Sequence, residues 1–127
     1  MNPSDITPDI AKFLTDRHLA TLTTLRADGS PHVVPVGFTY NIESHVVSII
    51  TFENSVKVRN ADRGGRAAVS QVDGGRWLTL EGAVSTSRDP DVIRDAVDAY
   101  SRRYREPKER TDRVVIRISV DRILGRA

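Results

Sequence analysis

Two glycine turns, Asp28-Gly29 and Asp73-Gly74-Gly75, each separate runs of strand-forming residues, and they constrain the fold more than any other feature. A tight hairpin needs backbone at positive φ, which glycine adopts without steric cost, so Asp-Gly between β-patterned segments marks antiparallel neighbours. The first turn joins Leu19 to Leu25, rich in Thr and Leu, to a strand expected over His32 to Tyr40. The second joins Ala67 to Val72 with Trp77 to Thr86. Val46 to Phe52 is almost continuously apolar or β-branched, as expected of a strand buried on both faces. Val114 to Val120 alternates instead, with Val114, Ile116, Ile118 and Val120 on one side and Val115, Arg117 and Ser119 on the other.

Three helices fit between or beside these strands. Thr7-Pro8-Asp9 reads as an N-cap, a proline at the first helical position and an acidic first turn, which predicts a short helix to about Arg17. Ser55 to Arg63 predicts a second, stopped by Gly64-Gly65. Asp89-Pro90 opens a third, where Val92, Ile93, Ala96, Val97, Tyr100 and Tyr104 line one side while Asp91, Asp95, Asp98 and Arg102 face water. Six strands, mostly in consecutive hairpins, predict a mainly β protein built on a six-stranded antiparallel barrel rather than a doubly wound sheet.

With 127 residues the chain is expected to form a single domain over 1–127. It has no cysteine, so disulfides and thiolate chemistry are excluded and redox chemistry would need a bound cofactor. The net charge is +2 with acidic residues mixed throughout, and no basic patch with interleaved aromatics points to nucleic acid. The segment holding Arg102, Arg103, Arg105, Lys108 and Arg110 comes nearest, but Glu106, Pro107 and Glu109 break it, and it reads as a solvated helix end and loop. The opening MNPSDITPDI lacks a basic n-region and an apolar h-region, and no window is long and apolar enough to span a membrane, so a cytoplasmic protein is expected.

Candidate chemistry concentrates in a few places. His18, His32 and His45 lack metal-ligand spacing, and no carboxylate cluster joins them, so no metal site is expected. No G-x-G-x-x-G, Walker A or G-x-S-x-G motif is present. Lys57, one of three lysines among nineteen basic residues, falls in the first turn of the helix capped by Ser55. Either this is a plain surface helix with exposed cations, or Ser55, Lys57 and nearby Arg59 form an anion site. Trp77 beside Arg76 either offers a stacking platform for a ring ligand or simply closes a barrel end. The strand His32-Val33-Val34-Pro35-Val36 supplies backbone groups and small apolar surfaces, suited to a flat heteroaromatic ring or to a core.

In order and spacing, LATLTTLRADGSPHVVPVGF, SVKVRNADRGGRAAVSQVDGGRWLTLEG and VVIRISVDRILG resemble the flavin and deazaflavin oxidoreductase superfamily, the split β-barrel group that includes pyridoxamine 5′-phosphate oxidases. Within it the chain is most similar to the B group of coenzyme F420-dependent reductases, and among them to the F420H2-dependent biliverdin reductases. The resemblance implies a split β-barrel homodimer with two cofactor sites at the subunit interface. It implies that Lys57 binds the tail phosphate of F420, helped by Asn60 and by Ser55, which stands where some relatives carry arginine. The His32 to Val36 strand and Thr51 would lie along the deazaflavin, with Gln71, Arg76 and Trp77 completing the site, partly from the other subunit. The implied reaction is hydride transfer from reduced F420 to a conjugated tetrapyrrole, biliverdin to bilirubin, with Arg26, Arg76 and Arg126 as candidate partners for the propionates. The alternatives are an FMN-dependent oxidase of the pyridoxamine phosphate type and a non-catalytic F420 or haem carrier.

Overall fold

The computed structural model describes all residues 1–127 and contains seven strands, three α-helices and a short 3-10 helix at Pro3–Asp5. In chain order these are α1 (Pro8–Thr15), β1 (Ala20–Leu25), β2 (Pro31–Val36), β3 (Thr39–Asn41), β4 (Val46–Phe52), α2 (Val56–Asp62), β5 (Arg66–Asp73), β6 (Arg76–Ser87), α3 (Pro90–Arg103) and β7 (Arg113–Arg126). The strands form one antiparallel sheet in the order β2-β1-β5-β6-β7-β4-β3. Its two edge strands, β2 and β3, are separated in sequence only by Gly37-Phe38. The sheet must therefore curl until its edges meet, which makes a barrel whose seam is bridged by two residues rather than by a hydrogen-bonded ladder.

The expected single strand from His32 to Tyr40 is thus two strands, and the count rises from six to seven. Pro35 has no N–H for a ladder, and Phe38 turns fully into the core, so pairing with β1 ends at Val36. Gly37 sits under two rings: a Cβ there would lie 3.1 Å from a Tyr100 ring carbon and 3.2 Å from Tyr104. The last strand runs six residues past the expected Val120, because the second half of β7 pairs with the first half of β6. A register shift at Glu81/Gly82 leaves Asp121 of β7 as an extra, unpaired residue where the two long strands bend, and at Gly82 a Cβ would fall 1.8 Å from the Ser119 carbonyl oxygen.

The core fills the barrel with Leu22, Phe38, Ile49, Leu80, Ile116 and Ile118, all at or below 1% exposure. Helix α1 closes one end by burying Ile10, Phe13 and Leu14. Its N-cap Thr7 accepts from Ile10 N–H at 3.2 Å, and in α3 the Asp89 carboxylate accepts from Asp91 N–H at 2.8 Å, as the cap residues predict. Strand β4 is corrected: only Val47, Ile49 and Thr51 are fully buried, because the opposite face is half-covered by α3. Helix α3 keeps Asp91, Asp95, Asp98 and Arg102 exposed as expected, yet of its expected apolar face only Ala96 is fully buried.

No helix covers the outward face of β2, β1, β5, the first half of β6 and the second half of β7, whereas α3 lies over the first half of β7. Strand register aligns Val33 with Thr23, Val72 with Trp77 and Thr79 with Leu124 on that face. Its apolar residues stay open, with Val72 68%, Val33 56%, Leu124 41% and Trp77 39% exposed. No helix of the chain is long and apolar enough to cross a membrane.

Candidate functional site at the barrel seam

The seam opens a cleft of about 250 Å³. Pro35, Val36 and Gly37 form one wall, Thr51 and Phe52 of β4 the next, and Lys57 of α2 stands at its edge. Tyr100 of α3 and Pro107 close it from above, with Arg110 and Arg113 at the rim. The Lys57 ammonium lies 5.5 Å from the Phe52 ring centroid, and the Arg110 guanidinium stacks on that ring at 4.4 Å.

The two cations differ. Arg110 is neutralised by Asp112, at 2.8 and 3.0 Å. Lys57 enters none of the chain's ion pairs, and burial holds its pKa below lysine's ordinary 10.5. A half-buried ammonium without a counter-charge is costly, and an incoming anion removes that cost.

Two further groups nearby lack partners. Thr51 Oγ1 and His32 Nδ1 are sealed from solvent and make no hydrogen bond. Burial, then the charges of Arg26 and Lys57, pushes the His32 pKa down, so the imidazole is neutral at pH 7 and retains one donor and one acceptor. Buried polar groups are ordinarily satisfied, so the orphaned atoms around the seam fit a ligand that offers hydrogen bonds there.

The structure divides the remaining predicted site residues. Val36 is buried at the cleft wall, Pro35 belongs both to the cleft and to the uncovered sheet face, Val34 is half-buried, and Val33 points outward. Ser55 is 9% exposed, and its hydroxyl accepts from Val58 N–H at 3.3 Å, so it is committed to capping α2. Helix α2 has only seven residues, so the anion site rests on the Lys57 side chain more than on a helix dipole. Asn60 is 4% exposed, donates to Thr24 Oγ1 at 3.0 Å and accepts from Arg63, so it ties α2 to β1 instead of facing the cleft.

Gln71 is likewise taken inward. It is 1% exposed, donates to the Phe13 carbonyl at 2.9 Å and accepts from Arg103 at 2.7 Å, so both ends of the amide are engaged in the interior. Arg76 pairs with Asp73 at 2.8 Å and lies over the Phe13 ring at 4.5 Å. Arg76 and Trp77 do not line the seam cleft.

Sequence reasoning missed Arg103, Tyr100 and Phe52. The expectation of a solvated Arg102–Arg110 segment holds for Arg102, Arg105, Lys108 and Arg110, but Arg103 is 9% exposed. Its guanidinium donates to the carbonyls of Phe38 at 2.6 Å and Asp16 at 3.0 Å as well as to Gln71, and it lies over the Phe38 ring at 4.6 Å. Tyr104, whose hydroxyl donates to the His18 carbonyl at 2.6 Å, holds the same corner. A signal was present: Ala96, Tyr100 and Arg103 lie at i, i+4 and i+7 on one face of α3.

A family model described as pyridoxamine 5′-phosphate oxidase matches residues 6–127. The chain is 52% identical over 122 residues to the F420H(2)-dependent biliverdin reductase of Mycobacterium tuberculosis (strain CDC 1551 / Oshkosh), which covers 96% of this chain and 89% of that protein. A solved structure of a conserved hypothetical protein from Mycobacterium tuberculosis is similar with a TM-score of 0.80 at 22% identity, over 94% of this chain and 84% of the other. An F420 reductase is similar with a TM-score of 0.73 at 23% identity, over 94% and 98% of the two chains. Those two likenesses bear on the fold, while the extent of the family match and the 52% identity bear on descent. The chain belongs to the pyridoxamine 5′-phosphate oxidase family.

Proposed function

We propose that the protein is an F420H2-dependent reductase of conjugated tetrapyrroles, with biliverdin as substrate and bilirubin as product. The observation that carries this reading is Lys57: a half-buried cation with no counter-charge, sharing the cleft lining with the orphaned Thr51 hydroxyl and near enough to the orphaned His32 imidazole for its charge to lower that pKa. An elongated cofactor with a phosphate in its tail and a flat polar ring matches that set of groups. The relative at 52% identity is named for the same cofactor and substrate.

When bound, reduced F420 supplies a hydride. This chain's residues hold and shield it. Lys57 would neutralise the phosphate, Thr51 and His32 would offer hydrogen bonds, and Val36 and Gly37 would present a flat wall for a planar system. Tyr100 and Pro107 limit water at the cleft, which keeps the reacting atoms close and dry.

One protomer's cleft of about 250 Å³ falls short of the range of about 300–1,000 Å³ for small-molecule sites. The uncovered sheet face begins at Pro35, on the cleft wall, and a second copy laid on that face would enlarge the site. In this arrangement Arg76 and Trp77 reach the cofactor from the partner, and the unit 1–127 works as a cytoplasmic homodimer. Exposed apolar patches of this kind mark association surfaces.

The test is titration of the purified protein with F420 and with FMN side by side, followed by turnover with F420H2 and biliverdin. Tighter binding of F420 and appearance of bilirubin above the solvent background are expected. Tighter FMN binding would overturn the cofactor assignment, and F420 binding without turnover would leave a carrier in place of an enzyme.

A further inference from the structure

Four buried side-chain atoms in the whole chain lack a hydrogen-bond partner: His32 Nδ1, Thr51 Oγ1, the Tyr40 hydroxyl and Arg117 Nε. The first two belong to the Lys57 region. Tyr40 and Arg117 line a different groove, of about 450 Å³, between α3 and the strands β3, β4 and β7. This groove shares no lining residue with the seam cleft.

Arg117 is the anomaly there. It sits on an inner strand, with Ser48 of β4 and Ser85 of β6 as register neighbours, so hydroxyls flank it and no carboxylate lies beside it in the sheet. It is half-buried beneath α3, and it enters none of the ion pairs of the chain. A guanidinium carries five donors in a planar fork that matches a carboxylate, and leaving its Nε–H unpaired and sealed from water is unfavourable. Tyr40, whose hydroxyl burial keeps protonated, is a second donor in the same lining.

The rim selects among anions. Asp95, Asp98 and Arg102 stand exposed on α3, and neither aspartate is ion-paired. The two aspartates balance Arg102 and Arg117, so the groove is neutral as a whole but divided, with positive charge at its floor and negative charge along the helix. A polyanion would meet Asp95 and Asp98, and a simple amine would meet Arg117. A molecule with a carboxylate at one end and an ammonium at the other meets neither penalty.

We propose that the groove under α3 binds a small amino carboxylate, of amino-acid or dipeptide size, with its carboxylate on Arg117 and its ammonium at Asp95 and Asp98. The site is independent of the cofactor reading, since it uses none of the same residues. Occupation would complete the hydrogen bonding of the two sealed donors and add a tie between α3 and the sheet.

The experiment follows the Arg117 side-chain Nε–Hε resonance in the 15N-labelled full chain, assigned by its loss in Arg117→Lys. Glutamine, β-alanine and glycylglycine are the probes, with acetate and butylamine as single-charge controls. At least one zwitterion is expected to shift the resonance at lower concentration than acetate does, and butylamine is expected to leave it in place. The double substitution Asp95→Asn/Asp98→Asn, on exposed helix positions, should weaken zwitterion binding by about tenfold or more and leave acetate unaffected. Its F420 affinity should equal that of the unsubstituted protein. No shift with any of the three zwitterions, acetate binding as tight as all of them, or an unchanged zwitterion affinity in the double variant would each overturn the proposal. Failure of the unsubstituted protein to bind F420 while it still binds a zwitterion would instead count against the seam assignment alone.

Discussion

Arg103 and Lys57 are both cations drawn out of water, and the molecule treats them in opposite ways. Around Arg103 each nitrogen of the guanidinium has an acceptor, from Phe38, Asp16 and Gln71, with aromatic faces on Phe38 and Tyr104. Around Lys57 there is one aromatic ring, Phe52, and no acceptor among the ion pairs, although Thr51 and His32 nearby are also unsatisfied. Burial lowers the pKa of both. The difference lies in what compensates the burial: the fold itself at Arg103, and no counter-charge of the chain at Lys57. A buried cation whose donors are all taken fastens structure, whereas one left open at a cleft is poised for a ligand.

The largest effect that sharpens this contrast is expected at the clasp. Arg103→Met keeps the volume but strands the Gln71, Phe38 and Asp16 oxygens, and a loss of about 3 kcal/mol in urea unfolding is expected. Because Arg103 does not line the seam cleft, the folded fraction should still bind F420 normally. A stability change near zero would break the comparison, since the clasp would then be no better paired than Lys57.

A smaller effect is expected at Ser55. Its hydroxyl caps α2, so Ser55→Ala should cost about 1 kcal/mol of stability and leave F420 affinity nearly unchanged. An affinity loss larger than the stability loss would show that the hydroxyl turns to the phosphate when cofactor binds.

The pH dependence is the subtlest. A bound phosphate favours the charged form of Lys57, so binding takes up a proton where the free ammonium has begun to titrate, below 10.5. F420 affinity should therefore be level at lower pH and fall as pH climbs through that window. Folding stability of the free protein should move the other way. The unfolded lysine holds its proton more tightly than the folded one, so stability rises with pH over the same window. Both slopes should flatten in Lys57→Met, and matching slopes of one sign in the unsubstituted protein would contradict the assignment.

Much of this architecture was legible before any coordinates. Asp28-Gly29 and Asp73-Gly74-Gly75 marked both hairpins, and Thr7-Pro8 and Asp89-Pro90 marked helix starts, because turn and cap chemistry is local. The break at Gly37 was less visible. Pro35 and Gly37 flagged an irregular strand, but the rings of Tyr100 and Tyr104 that occupy the space above Gly37 arrive from a helix more than sixty residues away. At the site, Lys57 was legible as an oddity of composition and position. Asn60 and Gln71 were legible only as polar residues in a matching segment. That their amides are consumed by Thr24, Arg63, Phe13 and Arg103 depends on long-range pairing. Gln71 did carry a clue, since Ala67, Val69 and Gln71 share the inward parity of β5. Arg103 was hidden in a run of charges whose neighbours are exposed, and only its helical phase set it apart.

The measurement that bears most directly on the central claim compares Lys57→Met with the unsubstituted protein in binding two ligands, F420 and the phosphate-free deazaflavin that forms its ring portion. If Lys57 anchors the tail phosphate, the substitution weakens F420 by about 1.5–3 kcal/mol and leaves the phosphate-free ring nearly unaffected. Equal losses for both ligands, or no loss for F420, would contradict it.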